Sequence, residues 1–316
     1  MKNYVSIVSS PFQMISLGEY INEKQISNYK IIILYYSELE LKQIIKITEF
    51  YNLSVFKKVF GTKIIQYLKL YLISKKIKNF QNLIIGNFFS DPHLFFNSCF
   101  RNKSLTFIDD GIITNKIPSY LATDRKLIKE KFLKRLAKSV FKIHYPKKIN
   151  LFTIFKISST KNLQVESNQF TFLNKKLSFF KQENLLIIIG QPFVEKGLIL
   201  EDEYIKIIKK IVFKENKYTI LYCPHRKESE EKIKLVRSIN GIDLINSNSS
   251  IEIFLIEKGI YPKKVLGFTS TALITLDKIF NQVDTNVTIK SINLELNSKL
   301  FLSLYSEIKK HQIDII

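Results

Sequence analysis

Short runs of consecutive apolar residues alternate along this chain with longer stretches in which apolar positions recur every three or four residues. The runs Val5 to Val8, Ile31 to Tyr35, Leu53 to Phe56, Leu83 to Gly86 and Leu105 to Ile108 predict buried strands. The segments from Pro11 to Glu23 and onward from Leu39 carry the helical period. Strands alternating with helices imply βαβ units and a mostly parallel sheet. A second series repeats the rhythm. It holds strands over Leu185 to Ile189, Tyr218 to Cys223, Ile242 to Ile245 and Val265 to Phe268, with helices over Glu201 to Phe213, after Arg226, over Ile251 to Lys258 and over Ala272 to Ile279. The polar stretch from Ser158 to Asn174 interrupts the pattern and is expected to be a linker, dividing the chain into residues 1–165 and 166–316. The expected fold class is therefore α/β, two Rossmann-like domains with ligands bound between them at the carboxyl ends of both sheets.

Composition narrows the classes. With 316 residues and 46% apolar content, the chain can fill two cores. Charged residues interrupt every long apolar run and the start lacks an apolar signal region, so a cytoplasmic location is expected. Cys99 and Cys223 are the two cysteines, which excludes a disulfide framework and a cysteine-rich zinc site. A net charge of +21 attracts anions of any kind: phosphorylated substrates, anionic lipid or nucleic acid. No base-recognition motif accompanies that charge, so nucleic acid is not an expected partner. Between Arg125 and Lys148 stand ten Lys or Arg and one Glu, with Ile128, Phe132, Leu136 and Val140 recurring every four residues. That pattern is a basic amphipathic helix, read either as an anchor on an anionic membrane or as a surface helix facing its own core. The oligomeric state is left open.

Candidate chemistry gathers where strands end. Asp109-Asp110-Gly111 closes the Leu105 to Ile108 run and offers a general base, a metal ligand or a plain Asp-Gly turn; no third metal ligand stands at a nearby spacing. Ser9-Ser10-Pro11-Phe12-Gln13 opens the first helix with a cap and a Pro. Gly190-Gln191 is the equivalent turn of the second half, where Gly lets a ligand approach the backbone. His225 can donate to a phosphate or a leaving group, and Arg226 adds charge. Thr269-Ser270-Thr271 precedes a helix and offers either an anion site or an ordinary cap. Glu252 can accept from ribose hydroxyls or merely complement a helix dipole. His93, His144 and His311 read as structural.

In this order, Asp109-Asp110-Gly111, His225 and Ser270-Thr271 on two α/β halves resemble the bacterial sialyltransferases of the GT-B type, with their acidic-acidic-Gly, His-Pro and Ser/Thr motifs. Ser10-Pro11-Phe12-Gln13 looks most like glycosyltransferase family 52, the lipooligosaccharide sialyltransferase group. The Glu252 stretch, followed by Tyr261-Pro262, is similar to a ribose-binding segment of related enzymes. Arg226 departs from the Pro expected after the His. The resemblance implies an inverting transfer of sialic acid or a related nonulosonic acid from a CMP-activated donor to a surface glycan, lipooligosaccharide or capsule. It makes Asp109 the base with Asp110 its neighbour, and His225 the donor to the departing phosphate. Ser270 and Thr271 would hold that phosphate, Glu252 the ribose, and Gly190 with Gln191 the nucleotide pocket; no metal or cofactor is chemically required. Rival readings are a related transferase using another nucleotide sugar and a non-catalytic, basic, peripheral-membrane glycan-binding protein.

Overall fold

The computed structural model describes residues 2–100, 103–122, 143–177, 181–245, 247, 249–281, 287–294, 305–306 and 308–316. They form two compact units, Met1–Phe172 and Leu173–Ile316. The first runs β1 (Tyr4–Val8), α1 (Pro11–Glu23), β2 (Tyr29–Tyr35), α2 (Glu38–Phe50), β3 (Val55–Phe60), α3 (Lys63–Lys76), β4 (Asn82–Ile85), α4 (Asp91–Ser98), β5 (Ser104–Ile108), a 3-10 turn (Ile113–Lys116), α5 (Ile117–Ala122), β6 (Ile149–Thr153) and β7 (Leu163–Ser167). A short helix, α6 (Thr171–Lys176), crosses the boundary. The second unit runs β8 (Lys181–Ile189), α7 (Glu201–Lys214), β9 (Thr219–Cys223), α8 (Glu230–Arg237), β10 (Ile242–Leu244), α9 (Ile251–Lys258), β11 (Ile260–Gly267), α10 (Thr271–Asn281), β12 (Thr288–Ser291) and β13 (Asp314–Ile315).

Both sheets are parallel, in the orders β3-β2-β1-β4-β5-β6-β7 and β10-β9-β8-β11-β12-β13. Each chain path thus winds outward one way through three strands and then restarts on the other side of the first. The reversal lies between β1 and β4 in the first unit and between β8 and β11 in the second. A crevice opens at such a reversal because successive loops leave in opposite directions, and ligands of open α/β sheets bind there. Central strands carry unbroken Val, Ile and Leu because helices cover both their faces: Ile31, Ile32, Ile33 and Leu34 are all buried. Each such side chain contributes roughly 1.5–3 kcal/mol of burial.

The Ser158 to Asn174 stretch is not a linker throughout. It contains β7, paired in parallel with β6 along its whole length. As an edge strand it buries Leu163 and exposes Gln164, Glu166 and Ser167, so its polar character reflects one covered face rather than a loop. Of the expected basic helix, residues 125–142 lie outside the described residues, and 143–148 lead non-helically into β6. Among the described residues no helix is long and apolar enough to cross a membrane.

Candidate active site

In the first unit three strand ends around the reversal converge on one carboxylate. After β1, Ser10 caps α1 by accepting from Gln13 N at 3.2 Å, with Pro11 in the first turn. That cap turns Gln13 inward, where its Oε1 accepts from Ser9 N at 2.7 Å and its Nε2 donates to Asp110 Oδ1. After β4 stands Gly86, where an added Cβ would fall 2.2 Å from Gln13 Oε1, so a side chain there would expel the amide. Asn87 follows and donates through Nδ2 to Asp110 Oδ2. Asn87 is itself fixed: its Oδ1 accepts from Phe89 N at 2.7 Å, and its N–H donates to His93 Nδ1 at 3.1 Å. Burial lowers the His93 pKa to about 3, so the ring is neutral and free to accept. After β5, Gly111 takes a left-handed φ of 78°, and Asp110 N donates to Thr114 Oγ1 at 3.1 Å.

The two aspartates differ sharply. Asp109 is wholly buried, accepting from Thr153 Oγ1 at 2.6 Å and from Ile154 N at 2.7 Å where β6 ends. Its carboxylate fastens β6 to β5. Asp110 is only half-buried, and two primary amides aim its oxygens at the sheet rim. Successive residues leaving a strand point to opposite sides, so adjacency in sequence separates them in space. Of the two carboxylates expected at this strand end, Asp110 is the one presented at the rim, and Asp109 is engaged in holding β5 to β6.

In the second unit the rim residues follow β8, β9 and β11, three neighbouring strands. Gly190 follows β8 directly beside Tyr222 and Glu228; a Cβ would meet the Tyr222 hydroxyl and Glu228 Oε1, each at 2.4 Å. Beneath it lies a polar network. Lys232, completely buried on α8, donates to Gln191 O at 3.0 Å and Glu195 Oε2 at 3.1 Å, stands 3.6 Å from Glu228 Oε1 and lies over the Tyr204 ring. Tyr222 donates to Glu228 at 2.9 Å and shares a 2.7 Å hydrogen bond with Tyr204. Burial lifts the Glu228 pKa to about 7 against the opposing pull of Lys232 and Tyr222. The network holds Gln191 by both backbone groups, since its N–H also reaches the Tyr204 hydroxyl at 3.3 Å.

His225 follows β9. Its Nδ1 accepts from Lys227 N at 3.1 Å, which leaves the proton on Nε2. Burial, with the charges of Arg226, Lys196, Lys227 and Lys232, lowers its pKa to about 4. At neutral pH it is an uncharged N–H donor in a cationic setting. Cys223, the last residue of β9, is pushed up to about 12 by burial and by the Glu252 and Glu228 charges, which removes it as a nucleophile. Glu252 sits buried in the first turn of α9 and accepts from Thr275 Oγ1 of α10 at 2.6 Å; burial raises its pKa, against the Thr275 hydrogen bond.

After β11, Ser270 Oγ accepts from Ala272 N at 3.2 Å, so this hydroxyl caps α10. Thr271 opens the helix and is half-buried, while the Thr269 hydroxyl is buried without a hydrogen-bond partner among the described residues. A helix N-terminus with a neighbouring hydroxyl favours an anion. Gly190, Gln191, His225, Arg226, Ser270 and Thr271 thus share one rim, which Glu252 braces from α9. Asn87, Glu228 and Lys232 were missed by sequence reasoning. Asn87 follows a strand-like run as the others do, and Glu228 and Lys232 stand four apart, a spacing that signals a pair. Among the described residues no group of three or more His, Cys, Asp or Glu is placed to hold a metal ion.

Residues 5–288 match the family model described as alpha-2,8-polysialyltransferase (POLYST), which takes in the rim residues of both units. The chain belongs to that family. It is accordingly a glycosyltransferase of the sialyltransferase type, and the family 52 likeness stands as a resemblance of motifs beside it. No curated protein matches the sequence. Among solved structures, the Methanocaldococcus jannaschii UDP-GlcNAc 2-epimerase in complex with UDP-GlcNAc and UDP superposes with a TM-score of 0.59 at 12% identity, covering 100% of this polysialyltransferase-family chain and 88% of its own. The UDP-GlcNAc 2-epimerase from Neisseria meningitidis bound to UDP-GlcNAc gives 0.58 at 11% identity, covering 96% and 85%. The S. aureus MnaA–UDP co-structure gives 0.59 at 9% identity, covering 98% and 88%. At these identities the likeness speaks for the fold, two Rossmann-like units of the GT-B type.

Proposed function

We propose that this chain transfers sialic acid, or a related nonulosonic acid, from a CMP-activated donor to the end of a surface glycan, inverting the anomeric carbon. The observation that carries the reading is the family match, whose range of residues 5–288 takes in Gln13, Asn87, Asp110, His225, Glu252 and Thr271. The family's description names an α-2,8 linkage, which favours an acceptor already ending in sialic acid.

In this reading Asp110 takes the acceptor hydroxyl proton. Two amide donors aim its carboxylate, and its partial exposure lets an acceptor reach it. The acceptor oxygen bonds to the anomeric carbon as the bond from that carbon to the CMP phosphate oxygen breaks, and the electron pair leaves with CMP. The Nε2–H of His225, the Arg226 charge, Thr271 and the α10 N-terminus hold the phosphate as its charge grows, with Ser270 shaping that terminus as its cap. Gly190 and Gln191 form the nucleotide floor, and Glu252 accepts from ribose. Asp109 acts at one remove by fixing the strand pair from which Asp110 projects.

Calorimetric titration with CMP, UMP and AMP tests the donor assignment. CMP should bind tightest, and Glu252→Gln should weaken it by about 1–3 kcal/mol, the value of a hydrogen bond to a charged group. Equal affinity for all three nucleotides would remove the CMP reading.

A further inference from the structure

Helix α3 is apolar on both sides. Its inner side, Tyr67 and Leu70, packs into the core of the first unit. The other side faces water: Ile64 is 65% exposed, Leu68 61% and Leu72 61%, and Ile65 and Tyr71 are exposed beside them. At about 100° per residue these five side chains cover an arc of about 120°. Phe60, at the end of β3, and Tyr36 extend the patch; Tyr36 reaches α3 through its hydroxyl, 3.4 Å from Gln66 Oε1. Globular surface helices turn one stripe inward and expose polar residues, so a second, contiguous apolar stripe marks an interaction surface.

The charge around the stripe identifies its partner. From Phe50 to Ser90 the chain has seven lysines and no Asp or Glu. Lys57, Lys58, Lys63, Lys69, Lys75, Lys76 and Lys78 are all exposed. Lys69 and Lys76 lie just beyond one margin of the arc, Lys75 lies within it over the Tyr71 ring, and Lys63 stands 3.8 Å from Asp91 of α4. A second copy of this face would set Lys63, Lys69, Lys75 and Lys76 of α3 against like charges, which opposes self-association. A nucleic-acid backbone would satisfy the lysines but leave Ile64, Leu68 and Leu72 against phosphates. An anionic bilayer satisfies both, taking the apolar arc into the acyl boundary and the ammonium groups among the headgroups.

We propose that the outer face of α3, with Phe60 and Tyr36, is a docking surface for an anionic lipid bilayer. It is separate in sequence from the basic segment 125–148 and stands without the catalytic reading. The N-terminus of α3 follows β3 and so opens at the carboxyl edge of the sheet that also carries Asp110. Docking here would hold that rim close to the headgroup plane.

The chain has no tryptophan, so Leu68→Trp provides a single indole reporter on this face. Its emission should shift to the blue on vesicles of phosphatidylcholine with phosphatidylglycerol, and stay unchanged on phosphatidylcholine alone. In co-sedimentation, Leu68→Glu with Leu72→Glu should reduce binding to the anionic vesicles by at least about tenfold while circular dichroism stays that of the parent. No blue shift on anionic vesicles, or undiminished co-sedimentation of the double variant, overturns the proposal. So does a parent chain that dimerises through α3, shown by dissociation of the dimer in the double variant.

Discussion

The neighbouring aspartates give the sharpest quantitative expectation. Asp109→Ala removes the acceptor for two buried donors, the Thr153 hydroxyl at 2.6 Å and the Ile154 N–H at 2.7 Å. Each stranded donor costs about 1–3 kcal/mol, so the substitution should destabilise the protein by about 3–5 kcal/mol. Asp109→Asn keeps one oxygen for Ile154 N and should cost about 1–2 kcal/mol, because only the geometry at Thr153 must adjust. Asp110→Asn presents an amide where Gln13 and Asn87 donate, but the site is half-open to water and should lose less than about 1 kcal/mol. Its effect falls on rate: removing a positioned base should slow transfer by about 10²–10⁴-fold with donor affinity little changed. Urea unfolding and initial transfer rates on the three variants decide it. Near-parental transfer by Asp110→Asn, or an unshifted urea midpoint for Asp109→Ala, would refute the division of labour.

Two further outcomes follow from the second unit. His225 is one of four histidines, and its ring resonance in labelled protein should stay neutral until about pH 4 and move to a higher pKa when CMP binds. Because its folded pKa is depressed, its share of stability is present above about 6.5 and lost as pH falls toward 4, whereas Glu228, raised to about 7, loses its share as pH rises from about 4.5 through 7. The two run in opposite directions, so the ring itself is the readout; an ordinary pKa near 6.5 in the free protein would contradict the half-buried, uncharged donor. Gly190→Ala would place a methyl against the Tyr222 hydroxyl and Glu228 Oε1 and should displace both, lowering stability by roughly 1–3 kcal/mol and weakening CMP binding together. An unchanged urea midpoint would show that the network yields freely.

Most of the fold was legible because parallel strands covered on both faces read as plain apolar runs, as Ile31 to Leu34 do. β7 was not, since an edge strand such as Leu163-Gln-Val-Glu-Ser167 carries its apolar residues on one face and resembles a loop in composition. The strand-end positions of the site residues were visible in sequence, and so was the Ser10-Pro11 helix start that turns Gln13 inward. The different settings of Asp109 and Asp110 were not. They depend on Thr153 and Ile154, which reach Asp109 from 44 and 45 residues away. Lys232 was hidden for a similar reason: a lysine in a helix reads as surface until Tyr204, Glu195 and Glu228 are seen to enclose it.

The transfer itself can be measured directly. Purified protein would be incubated with a CMP-activated sialic acid and an acceptor ending in α-2,8-linked sialic acid, with CMP release followed by chromatography and product length by mass spectrometry. Acceptor lengthening by one sialyl residue for each CMP released is expected, with Asp110→Asn slower by about 10²–10⁴-fold. Lengthening driven by a UDP-sugar and absent with every CMP-activated nonulosonic acid would contradict it.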